Sequence, residues 1–174
     1  MEIQASCSHP EKSELTTRLK QVQEKMSEHD LDFYLCHDPA NIFYLTNFAN
    51  FVHERPFILL VPAAGDMTFL MPKLEESHVR SRAVCELNYL HYFEFPAPAG
   101  EMWHDRLQDV IQPGHRVGVE SLCPWSVVQA VPGNTLAVDI VDEVRQIKSE
   151  YEIGRIAYTC ELLSAGHAQF RIRT

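Results

Sequence analysis

The sequence predicts an α/β domain in which a mixed β-sheet is covered by helices on both faces. Three observations predict it. Short apolar runs bounded by turn residues alternate with stretches of helical periodicity along most of the chain. One pair of runs is separated by a single tight turn, which marks an internal antiparallel hairpin. The 174 residues, 45% of them hydrophobic, are enough to bury one core, so a single domain is favoured over two. Helices alternating with short strands, plus one hairpin, give a mixed rather than an all-parallel sheet.

The elements follow in order. Residues 1–12 are polar and unpatterned and read as a loose tail. Ser13 is placed to cap a helix whose apolar residues Leu15, Leu19, Val22 and Met26 recur at spacings of four, three and four, a single buried stripe that ends at His29-Asp30. Phe33 to Cys36 suits a buried strand, and His37-Asp38-Pro39 turns the chain into a compact turn, NIFYLTNF. Phe57 to Val61 reads as a strand, Pro62 to Asp66 as a turn, and Met67 to Met71 as the hairpin partner.

Pro72 opens a helix running to about Val84, with Leu74, His78, Val79 and Arg82 interleaved among charges. Leu87 to Phe95 returns to strand-like aromatic alternation. Met102 to Ile111 is helical in pattern, Arg116 to Glu120 a strand, Pro124 to Val131 a helix, and Thr135 to Ile140 a last strand. After the charged stretch Asp142 to Lys148, Ser149 and Glu152 form an S-x-x-E capping box ahead of Ile153, Ile156, Ala157, Cys160 and Leu163. That final helix carries an apolar stripe with little left to pack against before RIRT, which suggests that it leads into further chain.

Acidic residues outnumber basic ones by 24 to 15, for a formal net charge of -9. This balance repels phosphate backbones and anionic lipid, so nucleic acid is not an expected partner. No basic region precedes an apolar stretch at the amino terminus, and Phe57 to Ala64, broken by Pro62, is far short of the ~20 residues a membrane span needs. The five cysteines are odd in number, widely spaced and without a CxxC pair, which argues against a disulfide framework and a zinc knuckle and fits a cytoplasmic location.

Three stretches resemble the creatinase/prolidase (pita-bread) family of Xaa-Pro aminopeptidases, Xaa-Pro dipeptidases, creatinase and ectoine hydrolase. RLKQVQEKMSEHDLDFYLCHDPANIFYLTNF looks like the family's opening helix, first strand and P-x-N-I-x-Y-L-T segment. ERPFILLVP resembles the strand that follows, and VRQIKSEYEIGRIAYTCELLSAGH the hinge written R-x-I-K-S-x-x-E-I. The resemblance runs from about Ser13 to His167. It implies a three-layer amino-terminal domain with a ribonuclease H-like motif over residues 13–148, which helps form a homodimer. Residues 149–174 would then be a linker helix and the start of a catalytic domain. That catalytic domain would hold two divalent ions (Mn, Co or Zn) on two Asp, one His and two Glu, none of them in this chain.

The residues themselves offer no catalytic group and no metal site. The nine histidines are scattered singly, and HExxH, G-x-S-x-G and Gly-rich phosphate loops are absent. His37-Asp38, His53-Glu54 and His104-Asp105 place imidazole beside carboxylate, but neighbours on a strand point to opposite faces. Asn41 reads as a turn or cap residue, Phe43, Tyr44 and Phe48 as core, and Trp103 and Trp125 as anchors of amphipathic elements or subunit contacts. The segment Phe51 to Pro56 is the exception. An arginine just before a buried strand, with Pro56 fixing the backbone, can present a planar fork to a carboxylate. The family resemblance implies that Arg55 clamps a substrate carboxylate in the neighbouring subunit's active site, with His53 lining the same pocket. A surface arginine paired with Glu54 or Glu28 is the competing reading. The expected function is therefore the non-catalytic amino-terminal domain of an Xaa-Pro peptidase-like metallohydrolase, with its own carboxy-terminal catalytic domain and a second copy as partners. The resemblance also leaves open the corresponding domain of a creatinase- or ectoine-type hydrolase, and a binding module of the kind found in a histone-chaperone subunit.

Overall fold

The computed structural model describes residues 9–50 and 55–172, with side chains placed through Ala168. Six strands form one mixed sheet in the order β4-β3-β2-β1-β5-β6. In chain order they are β1 (Phe33–Cys36), β2 (Ile58–Pro62), β3 (Met67–Pro72), β4 (Leu87–Tyr92), β5 (Arg116–Val119) and β6 (Asn134–Ala137). β1 to β3 run antiparallel to their neighbours in that series, while β1–β5, β3–β4 and β5–β6 are parallel. The predicted hairpin is β2–β3.

Strand alternation divides the core into two layers, because successive side chains leave a strand on opposite faces. Leu59 and Val61 of β2, Tyr34 and Cys36 of β1, and Phe69 and Met71 of β3 face one cluster. Ile58, Leu60, Leu35 and Leu70 face the other. The first layer is roofed by α1 (Lys12–Glu28), α2 (Pro39–Thr46), α3 (Glu76–Arg82) and α6 (Ile140–Gln146). The second is covered by α4 (Trp103–Leu107) and α5 (Trp125–Ala130), which bring Leu107 and Val127 onto it. The result is the expected three-layer α/β arrangement. A seventh helix, α7 (Glu150–Ile172), leaves this body at its carboxy-terminal end.

Several elements differ from the sequence expectation. α1 starts one residue before Ser13, with Glu11 at the cap, and the Ser13 hydroxyl bonds the Glu11 carboxylate instead of a backbone N–H. The segment read as a compact turn is α2, an eight-residue helix capped by Asp38, whose carboxylate accepts from the N–H groups of Ala40 and Asn41. The Pro72 helix begins as a 3-10 turn (Lys73–Glu75), and Leu74 is exposed while Val79 carries the burial. The strand after Leu87 stops at Tyr92, and the helix expected over Met102 to Ile111 spans five residues. The last strand ends at Ala137, and the following charged stretch folds as α6 because Ile140 and Val141 anchor it in the first layer. Trp125 is 70% exposed and so anchors nothing within the chain, whereas Trp103 packs on the second cluster.

Gly118 on β5 is closely packed by side chains. A Cβ built there would lie 2.7 Å from Leu31 Cδ1 and 2.7 Å from Tyr34 Cδ2, and 3.3 Å from Val138 Cγ1. Tyr34 has no room to retreat, since its hydroxyl donates to the Val138 carbonyl at 3.1 Å and its ring is fully buried. Overfilling a close-packed site of this kind costs about 1–3 kcal/mol. Gly118→Ala is therefore expected to lower the urea midpoint with an unchanged m-value, and an unchanged midpoint would show that the Leu31–Tyr34 contact yields freely.

Candidate functional site

Two polar networks meet beneath the start of α7; Arg18, Asn41, Tyr44, Arg145, Ser149 and Glu152 come from the first and third stretches that carry the family resemblance, while Glu14 and Glu120 lie outside them. Glu120 follows β5 directly and is 5% exposed. One carboxylate oxygen accepts from the backbone N–H groups of His37 and Asp38, both at 2.7 Å, and the other accepts from Asn41 Nδ2 at 2.9 Å. Asn41 Oδ1 in turn accepts from Arg145 Nη1 at 2.6 Å. The parallel pairing of β1 with β5 brings the carboxyl ends of both strands side by side, which is what lets Glu120 reach the turn after β1. Asn41 is therefore a buried bridge between sheet and hinge, 1% exposed, and more than the turn residue the sequence suggests.

Arg18 builds the second network. It is 6% exposed on the apolar stripe of α1 and its charge is fully engaged. Nε donates to Glu14 at 3.0 Å, Nη1 donates to the Tyr44 carbonyl at 2.7 Å, and Nη2 lies 3.9 Å from the Glu152 carboxylate. Its guanidinium carbon sits 4.1 Å from the centroid of the Tyr44 ring, within cation–π range. The Tyr44 carbonyl is one of the last in α2, where the helix has no partner of its own to offer.

The capping box predicted at Ser149 and Glu152 is present. The Ser149 N–H donates to the Glu152 carboxylate at 3.1 Å, and the Glu152 N–H donates to Ser149 Oγ at 3.2 Å. The Ser149 hydroxyl also donates to Glu14 at 2.6 Å. The cap of α7 is thereby bound to α1 through Glu14 and Arg18, so the direction in which α7 leaves is set by side chains of the body.

Burial raises the Glu120 pKa above the ordinary carboxylate value, against the lowering effect of its three donors. His37 is pushed down by the same desolvation. Burial also holds the Cys85 and Cys123 thiols at about 12, far from the thiolate a nucleophile needs. Among the described residues no three His, Cys, Asp or Glu side chains converge where they could hold a metal ion. The donor set on these residues does not fit a two-ion site.

Of the two substrate-binding residues read from the sequence, His53 lies outside the described residues, as does the His53-Glu54 pair. Arg55 is described. Its Nη1 donates to Glu94 Oε1 at 2.9 Å, with both side chains about one-third exposed. The backbone behind it is fixed, because the Tyr92 hydroxyl donates to the Pro56 carbonyl. His104 Nε2 is 3.7 Å from Asp105 Oδ1, an exposed contact with no third ligand. Phe48 and Tyr44 are core as expected, but Phe43 is 47% exposed.

A mixed sheet covered by helices on both faces, with a capped helix bound at one end, defines the α/β class of this domain. A family model for the Creatinase/Prolidase N-terminal domain matches residues 18–156, and the chain belongs to that family. Curated relatives include an uncharacterized peptidase of Staphylococcus epidermidis, 33% identical over 64 residues, and one of Staphylococcus haemolyticus, 31% identical over 65. The match covers 37% of this chain and 18% of either relative, so the chain spans under a fifth of their length. Among solved structures, the prolidase from Pyrococcus horikoshii OT3 superposes with a TM-score of 0.65 at 18% identity, over 84% of this chain and 40% of that one. Dipeptidase PepE from Mycobacterium ulcerans gives 0.69 at 16% identity, over 93% and 44%. A proline dipeptidase structure from Streptococcus agalactiae 2603V gives 0.63 at 18% identity, over 76% and 99%. These likenesses establish the fold.

Two outcomes test the Glu120 network. Glu120→Ala strands the buried Asn41 amide and two part-buried backbone N–H groups and is expected to cost about 1–3 kcal/mol in chemical denaturation, against under 1 kcal/mol for a surface residue. The pH dependence has a definite sign. A carboxyl whose native pKa is raised binds its proton more tightly folded than unfolded, so its contribution favours folding at acid pH and is lost as pH rises through the native value. Glu120→Gln is expected to remove that decline from the stability profile above the ordinary carboxylate range, and an unaltered profile would contradict the assignment.

Proposed function

We propose that this chain is the non-catalytic amino-terminal domain of an Xaa-Pro dipeptidase- or aminopeptidase-like metallohydrolase. In this reading it serves dimerisation and substrate access, while hydrolysis belongs to a carboxy-terminal domain reached through α7. The observation that carries the proposal is the bound cap of α7. The first turn of that helix is tied by Ser149 and Glu152 to Glu14 and Arg18, and beyond it Ile153, Ile156, Leu162 and Leu163 are each about half exposed or more. A helix held rigidly at one end and apolar along an open face is suited to carrying a second domain at a defined angle.

Within that reading the body comprises residues 13–148, and residues 149–174 form the linker helix and the beginning of the catalytic half. The two divalent ions (Mn, Co or Zn) would be held there, polarising the scissile carbonyl and activating water. Arg55 acts in trans. The fixed Pro56 backbone and the Glu94 carboxylate hold its guanidinium in place, and a substrate carboxylate would be bound by the same planar fork. His53 would line the mouth beside it.

The test uses the chain joined to the domain encoded after it. Xaa-Pro hydrolysis is expected to depend on added Mn, Co or Zn and to be absent from residues 1–174 by themselves; turnover by those residues in the presence of a chelator would overturn the proposal. In the longer protein, Arg55→Ala is expected to raise KM about 10- to 100-fold for substrates with a free carboxylate, the loss of one charge-assisted bond, and to leave amidated substrates unaffected. An unchanged KM for both would remove Arg55 from the substrate site.

A further inference from the structure

Beyond its scaffold role, the chain holds a cleft whose walls include Arg18, Tyr44, Arg145 and Glu152 of the hinge network and extend past them to α3. It has a volume of about 600 Å³ and lies between α1, α2, α3, α6 and α7. That is within the roughly 300–1,000 Å³ of small-molecule sites, and too small for an extended polypeptide face. Its charge runs against that of the protein. The walls carry Arg18, Arg82, Arg145, Lys148 and Arg155 against one lining carboxylate, Glu152, with Glu14 paired to Arg18 and Asp142 to Arg145, in a chain whose net charge is -9.

The cations are not equivalent. Arg18 at the back is 6% exposed and already engaged by Glu14, Tyr44 and Glu152, so its charge is compensated and an incoming anion meets the other cations. Arg145 is held by Asn41 and keeps about one-third of its side chain open. Arg82 and Lys148 stand exposed at the rim. Such an arrangement concentrates positive potential over an opening rather than spreading it across a surface, and guanidinium forks bind phosphate oxygens in pairs.

The remaining wall is aromatic. Phe43, 47% exposed, Tyr44 and Tyr151 line the same space. An exposed phenyl ring beside an arginine cluster offers a stacking face next to an anion site. The geometry points to a binding site for a small anionic ligand with a flat aromatic body, of the nucleoside phosphate class: the phosphates against Arg82, Arg145 and Lys148, the base against Phe43. The site sits on the docked end of α7, so a ligand bound there touches both the body and the hinge.

The experiment is isothermal titration of the 174-residue chain with ADP, adenosine and inorganic pyrophosphate, repeated on Arg82→Glu/Lys148→Glu, on Phe43→Ala and on Lys20→Glu. Lys20 is exposed and lies two residues, or some 200°, around α1 from Arg18, so it controls for overall charge. Saturable ADP binding is expected, weakened about tenfold or more by the double reversal and by about 3- to 10-fold in Phe43→Ala, but unchanged by Lys20→Glu. Pyrophosphate is expected to bind more weakly than ADP, and adenosine more weakly still. The inference is overturned if ADP does not bind, if pyrophosphate binds as tightly as ADP, or if Lys20→Glu weakens binding as much as the double reversal does. All three variants change exposed side chains, and a circular-dichroism melt matching the parent confirms that each is folded.

Discussion

Arg18 lies on the buried stripe of a helix, between Leu15 and Val22, and a charge so placed is tolerated only when its donors are met. The partners it finds are what join this structure together. Glu14 lies on its own helix, the Tyr44 carbonyl ends α2, the Tyr44 ring lies under its guanidinium, and Glu152 belongs to the first turn of α7. One side chain thus connects three helices that are far apart in sequence. Removing it would leave Glu14 beside Glu152 with no cation between them, a like-charge contact at the cap of α7. The Glu120 network repeats the logic on the sheet side, where a second buried charge is made tolerable by three donors from the turn after β1 and α2.

The two sequence stretches that mark the family are therefore two halves of one contact. Asn41 and Tyr44 come from the first and Arg145, Ser149 and Glu152 from the second, and they meet across Arg18 and Glu120. Their spacing within each stretch follows from helix geometry: Asn41 and Tyr44 are three apart and share a face of α2, while Ser149 and Glu152 stand at the two reciprocal positions of a capping box. Both buried charges of the described residues are found at this contact.

Much of the fold was legible in the sequence because it depends on local pattern. β1, the β2–β3 hairpin and the Ser149 cap are short-range signals and sit within a residue or so of where the pattern places them. α2 was not legible, since five of its eight residues are buried and an all-round apolar segment has no helical period to detect. Its helix is imposed by Asp38 at one end and by Glu120 and Arg18 from distant elements. α6 was obscured for the opposite reason, its charges reading as a solvated stretch while Ile140 and Val141 did the anchoring. Arg18 did leave a signal, a cation falling on the α1 stripe itself, but nothing local shows which partners it meets. The Arg55–Glu94 pair was equally hidden, because it joins a residue three positions before β2 to one two positions past β4, across the β2–β3–β4 side of the sheet.

The central claim is that Arg18 fixes the departure of α7, and amide hydrogen exchange of Arg18→Met measures it most directly. Methionine keeps the apolar stem and removes the guanidinium. The account predicts that amides in the first three turns of α7 lose protection while those of β1 and β2 keep theirs. Unchanged exchange in α7, or an equal loss throughout the sheet, would contradict it.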